Sequence, residues 1–97
     1  MQFVIYACDS TDEGAFERRM AAREEHLKLA AANKEAGKLL YASALLDDSG
    51  RLAGSVEIME FDTRKDLDEY LNMEPYVRDK VWGSIEIKPG KVPPLFS

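Results

Sequence analysis

The chain has one histidine, His26, standing three residues after Arg23 and seven after Arg19 in an unbroken helical stretch. Imidazole is the side chain whose ordinary titration lies near neutrality, so His26 is the leading candidate for accepting a proton from an acidic carbon or hydroxyl. Guanidinium groups on the same flank could hold a carboxylate or enolate and stabilise negative charge as it forms. On composition alone the competing reading ranks first. It makes all three boundary residues, paired with Glu24, with Asp9 or with a second subunit. Ser55, opening a strand after Gly54, could hydrogen-bond a ligand or simply permit close packing. Tyr6 and Tyr76 could offer hydroxyl donors but are more often filling. Glu57 and Glu86 are assigned to a subunit interface or cavity wall, and Cys8 reads as a small buried apolar residue. With one histidine and no paired Cys or His spacing, neither a metal nor a cofactor is expected.

These residues need elements to position them. Residues 2 to 8, Gln-Phe-Val-Ile-Tyr-Ala-Cys, are rich in β-branched and aromatic types and read as a first strand. From about Glu13 to Ala36, Ala, Glu, Lys, Arg and Leu dominate without proline, predicting a long helix that Gly37 caps. At about 100° per residue, Phe16, Met20, Leu27 and Ala31 cluster and predict its buried face, with Arg23, Arg19 and His26 at its edge. Leu39 to Leu46 and Leu52 to Phe61 predict a hairpin around Asp47-Asp48-Ser49-Gly50. Asp62-Thr63 caps a second helix over Arg64 to Leu71, with Leu67, Tyr70 and Leu71 inward, and Pro75 starts a short turn. Val81 to Lys88 predict a last strand, followed by a proline-rich tail carrying Leu95 and Phe96 and docking on a neighbouring surface.

The order strand, helix, strand, strand, helix, strand predicts an α+β fold, a ferredoxin-like βαββαβ sandwich with both helices on one face of a four-stranded antiparallel sheet. Simple alternation puts Ser55, Glu57, Met59, Trp82, Ser84 and Glu86 on the other face, where a second copy would cover them. The 97 residues, 45% hydrophobic, form one domain spanning 1–97 with little buried area of its own, which also favours a homodimer or a higher oligomer. Thirteen basic against eighteen acidic residues give a net charge of −5, which argues against nucleic acid or an anionic bilayer as partner and for a small molecule. One cysteine and the absence of a leader-like or membrane-spanning segment predict a cytoplasmic protein.

Taken together, several segments resemble the YCII-related family of small dimeric α/β proteins: Phe3-Val4-Ile5-Tyr6-Ala7-Cys8-Asp9, Arg23-Glu24-Glu25-His26-Leu27, Gly37-Lys38-Leu39-Leu40, Gly54-Ser55, Glu74-Pro75-Tyr76-Val77 and the closing Val81 to Pro89. The resemblance implies a ferredoxin-like fold dimerising as an α/β barrel. It also implies an active site in which the histidine of Arg-x-x-His meets the aspartate of an Asp-Pro-Tyr-Val turn. The corresponding residues here are His26 and Glu74, so glutamate replaces aspartate and the extra methylene, roughly 1.5 Å, must be absorbed by backbone or rotamer. On this reading His26 and Glu74 are catalytic, and Arg19, Arg23, Ser55 and Tyr76 bind the substrate. The chemistry implied is proton abstraction or elimination on a small anionic or phenolic molecule, of which the dehydrochlorination associated with some members is one form. The alternative is a non-catalytic module that binds a small molecule in the same pocket.

Overall fold

The computed structural model describes residues 1–96. The elements run β1 Gln2–Asp9, α1 Ala15–Glu35, β2 Leu39–Leu46, β3 Leu52–Glu60, α2 Arg64–Met73, α3 Pro75–Arg78 and β4 Trp82–Gly90, and a 3-10 turn follows over Pro94–Phe96. The four strands make one antiparallel sheet in the order β2-β3-β1-β4, with the helices on one face. This is the ferredoxin-like α+β arrangement expected from the element order. No helix among the described residues is long and apolar enough to cross a membrane.

Local chemistry ends each helix where it must. Gly37, at φ +75, closes α1: its N–H bonds Lys34 O and the N–H of Lys38 bonds Asn33 O, which satisfies carbonyls the helix leaves open. The Thr63 hydroxyl accepts from Asp66 N at the start of α2. Pro75 does more than break the chain, because its fixed φ suits the first position of the single-turn α3. Glu74, just before it, accepts from Tyr76 N through its own carboxylate.

The helix-facing side of the sheet carries two apolar clusters. Phe3, Ile5, Met59, Phe61, Leu67 and Tyr70 form one; Ala7, Ala22, Tyr76, Val81 and Trp82 form the other. Fully buried side chains such as Ile5, Met59 and Leu67 each contribute roughly 2 kcal/mol of transfer free energy.

Two expectations about facing are corrected. Register pairs Met59 with Phe3, Glu57 with Ile5 and Ser55 with Ala7, so all three β3 residues point toward the helices, while Val56 and Ile58 join Val4 and Tyr6 on the open face. Trp82 joins them on the helix side because pairing slips between Cys8–Ser84 and Asp9–Trp82, which makes Gly83 the extra residue of a bulge. A side chain at Gly83 would meet Ser10 Cα at 2.9 Å, so glycine is what lets β1 approach there. Ser84 and Glu86 stay exposed.

The buried face of α1 also differs. Ala15, Arg19 and Ala22 are its buried residues, with His26, Leu29 and Asn33 partly covered, whereas Met20 and Leu27 are each 46% exposed. The inward face therefore lies roughly 130° around the helix from the apolar stripe, because the protein spends that face on polar groups. The tail's Leu95 and Phe96 are exposed as well. Phe96 only edges a recess of about 780 Å³ on the open side of the sheet, beside Val4, Leu40, Tyr41 and Ile58, and the expected tail's last residue, Ser97, lies outside the described residues.

Candidate functional site

Between the two apolar clusters lies a layer of polar side chains. His26 Nδ1 stands 2.7 Å from Glu74 Oε1, with the histidine side chain 12% and the glutamate 1% exposed. The extra methylene of glutamate is absorbed at the junction of α2 and α3. There Glu74 has extended φ/ψ and its Oε1 also accepts from Tyr76 N at 3.1 Å, which pins the carboxylate. The imidazole is held from the side too. It stacks on the Tyr76 ring at 3.9 Å with 9° between planes and meets Trp82 edge-on at 6.4 Å. A ring fixed at Nδ1 by a carboxylate and by stacking leaves Nε2 as the nitrogen free for chemistry.

His26 lines a cavity of about 220 Å³ between α1, β2 and β3, together with Arg19, Arg23, Ser55, Glu57 and Tyr76. The structure thus gathers all six sequence-derived residues in one place, Glu74 lying directly behind His26. The recess on the open face is larger, yet it lacks histidine and paired acid groups, which line or back the smaller cavity instead.

The two arginines differ. Arg19 is 3% exposed and its guanidinium is engaged: NH1 donates to both Asp9 oxygens at 2.9 and 3.0 Å, and NH2 donates to Gly54 O at 3.1 Å and Ser55 Oγ at 3.3 Å. It also lies 4.8 Å over the Tyr76 ring. Burial pushes the Asp9 carboxyl above its ordinary range, and Arg19's charge and hydrogen bonds pull it back only in part. Arg23 is exposed and makes no ion pair among the described residues, so it is the guanidinium with donors to spare. Ser55 Oγ is shared, accepting also from Trp82 Nε1 at 3.3 Å. Burial raises the Tyr76 phenol, while Arg19 and Arg23 oppose the rise.

Sequence reasoning missed Tyr70 as a residue of the site and put Glu57 at an interface or cavity wall, of which the cavity wall is where it stands. Tyr70, read only as core, sets its hydroxyl 2.7 Å from Glu57 Oε1 and 2.9 Å from Glu74 Oε2. Glu57, read as interface or cavity wall, is 2% exposed beneath it. A signal was available in the spacing, since Tyr70 and Glu74 stand four apart at the end of a helix and must share a face. Burial, then the negative charges of Glu57 and Glu74, drives the Tyr70 phenol far above its ordinary range, so it stays protonated. The Glu57 carboxyl is also raised, first by burial and further by Glu74, against the pull of the Tyr70 hydrogen bond. No cluster of three or more metal-ligating side chains occurs among the described residues.

Known proteins resemble this chain over nearly its whole length. The model of the YCII-related domain matches residues 1–91. Protein YciI of Escherichia coli O6:H1 is 31% identical over 97 residues, covering 94% of this chain and 97% of that protein, and Protein YciI of Shigella flexneri is similar to the same extent. Among solved structures, 5-chloro-2-hydroxyhydroquinone dehydrochlorinase (TftG) from Burkholderia phenoliruptrix AC1100, in complex with 2,5-dihydroxybenzoquinone, matches with a TM-score of 0.80 at 21% identity over 94% of each chain. A dimeric ferredoxin-like protein from an uncultured marine organism matches with a TM-score of 0.52 at 15% identity, over 95% of this chain and 94% of that one. At those identities the two structures share the fold with this chain.

Proposed function

The chain belongs to the YCII-related family, and on that footing we propose that it is a small cytoplasmic enzyme whose His26 removes a proton from an anionic or phenolic molecule. The carrying observation is the 2.7 Å contact between His26 Nδ1 and the buried Glu74 carboxylate at the wall of a cavity. Glu74 fixes the ring and balances the imidazolium that forms when Nε2 takes the proton. Arg23 binds the ligand's negative group at the cavity mouth. Arg19 is a positioning residue: it ties α1 to Asp9 and to the Gly54-Ser55 strand start, and its guanidinium lies over the Tyr76 ring on which His26 stacks. The electron pair released at the deprotonated atom either delocalises into a conjugated carbonyl or expels a leaving group, giving an isomerisation or an elimination. A phenolic or quinonoid ligand suits a cavity walled by Tyr76 and alanines of β2, and TftG, of like fold, is a dehydrochlorinase in complex with a dihydroxybenzoquinone.

We further propose that two copies pair through the open sheet face. Tyr6 and Tyr41 on that face are 46% and 71% exposed, a large apolar cost for an isolated protomer, and a structural neighbour is a dimeric ferredoxin-like protein.

Thermal shift with a panel of phenols, quinones and aromatic carboxylates, 2,5-dihydroxybenzoquinone among them, should give ligands that raise the melting temperature. Arg23→Ala should weaken that shift. Proton exchange or product formation on such a ligand should vanish in His26→Ala. Turnover by His26→Ala at the wild-type rate would end the assignment, and binding without turnover by the wild type would return the protein to the accessory, ligand-binding reading.

A further inference from the structure

The Tyr70 hydroxyl has one proton and two carboxylates as neighbours, both buried. It can donate to one of them only. If both glutamates were ionised, one contact would set a lone pair against a lone pair between two carboxylates only 2% and 1% exposed, an arrangement avoided in native proteins. The contacts can therefore all be hydrogen bonds only if one carboxyl carries a proton of its own.

The rest of the site says which. Glu74 already accepts from Tyr76 N through Oε1, and the 2.7 Å contact of that same oxygen with His26 Nδ1 asks for another N–H. Its ionised form is thus met by donors on every side, with Tyr70 donating to Oε2. Glu57 has only the Tyr70 oxygen within hydrogen-bond reach among the described residues. Its register neighbours Ile5 and Ala42 are apolar. The titratable and charged groups around it are Tyr70 and Glu74 from the end of α2, with His26, Arg19 and Arg23 of α1 and Tyr76 of α3 lining the same cavity.

We propose that Glu57, Tyr70, Glu74 and His26 form one proton-ordered array in which Glu57 is a neutral acid donating to Tyr70, Tyr70 donates to Glu74, and neutral His26 donates to Glu74 from Nδ1. Three links then hold three protons. The array carries one negative charge, located on Glu74, and leaves His26 Nε2 bare toward the cavity. When Nε2 accepts a proton the array becomes electrically neutral, so no charge is stranded in the interior. Glu57 is thereby a positioning residue that fixes the tautomer of His26 through two intermediates, and this role rests on the reading of His26 as a base. Without the proton on Glu57, the Tyr70 hydroxyl would turn to Glu57, and Glu74 would lose a donor.

The array is testable without any ligand, which separates its failure from failure of the catalytic reading. In full-length protein labelled with ¹³C-glutamate and ¹⁵N-histidine, one glutamate δ-carbon should keep the chemical shift of a protonated carboxyl at neutral pH while the others read as ionised. That resonance should disappear in Glu57→Gln, a near-isosteric change that keeps a neutral group beside Tyr70. The neutral form of His26 should show a protonated Nδ1 and a bare Nε2 in the wild type. Ionised shifts for every glutamate at neutral pH would overturn the proposal. So would survival of the protonated resonance in Glu57→Gln, or a bare Nδ1 on neutral His26, because each puts the proton on Glu74 or nowhere.

Discussion

Tyr70→Phe removes one oxygen from the centre of the site and almost nothing else. The ring's packing survives, since its aromatic neighbour Phe61, 5.9 Å away at a 35° tilt, faces a ring that is unchanged. What is lost is a hydroxyl that bridges two buried carboxyl groups at 2.7 and 2.9 Å. Hydrogen bonds to charged groups contribute roughly 1.5–3 kcal/mol each, and a stranded buried acceptor costs about as much. Some of that returns if the Glu57 proton reaches Glu74 across the vacated space, so the expected loss is about 2–4 kcal/mol. Urea unfolding at fixed protomer concentration reads it as a lower midpoint with unchanged slope.

The same substitution carries a pH signature. Burial raises the Glu57 carboxyl, and the Tyr70 hydrogen bond is the largest influence pulling it down. A carboxyl raised in the folded state contributes stability that is fully present below the ordinary glutamate range and is lost as pH rises through the folded value. Removing Tyr70 lifts that folded value further, so the variant's loss grows as pH rises from the ordinary glutamate range. A deficit below about 0.5 kcal/mol, the level of an ordinary surface change, or one that shrinks with rising pH, would refute the bridging argument.

Three other outcomes follow from contacts around the cavity. Ser55→Ala strips the acceptor from Trp82 Nε1 and from Arg19 NH2 and should cost about 1–3 kcal/mol; the chain's only tryptophan reports it through a changed emission spectrum, and an unchanged spectrum and midpoint would count against the shared role. Arg19→Ala removes the guanidinium that donates to both oxygens of the part-buried Asp9 and should cost about 3 kcal/mol near neutrality. Because burial already raises the Asp9 carboxyl, stability tied to its proton is present below the ordinary aspartate range and lost above it. Arg19→Ala should therefore be better tolerated near pH 4 than near pH 7.5 in thermal melts, and equal losses would contradict the pairing. On the open face, Tyr6→Asp combined with Ile58→Asp should turn a sedimenting dimer into monomers with the fold kept by circular dichroism; a wild type that already sediments as a monomer defeats the pairing proposal.

The element order was legible because each boundary has its own local cause: Gly37 at positive φ, the Thr63 cap, the Asp47 turn. The facing of those elements was not, for two reasons: buried polar groups and one bulge. An apolar stripe predicts a buried face when burial is driven by hydrophobic transfer alone, yet α1 turns Ala15, Arg19, Ala22 and His26 inward and leaves Met20 and Leu27 half exposed. The same reversal puts Ser55 and Glu57 inside β3 and Val56 and Ile58 on the open face. A one-residue bulge at Gly83 then carries Trp82 across to the helix side. Polar groups face inward only where partners satisfy them, and partners come from distant elements: Asp9 for Arg19, Glu74 for His26, Tyr70 for Glu57. Such pairing cannot be read from any one segment. Violations of hydrophobic patterning concentrated on one flank of α1 and one stretch of β3 are therefore themselves a signal, because departures from local rules gather at functional or strained sites. The exposed Met20, Leu27, Tyr6 and Tyr41 are the counterpart of that choice, apolar surface displaced from the interior by the polar groups that took its place.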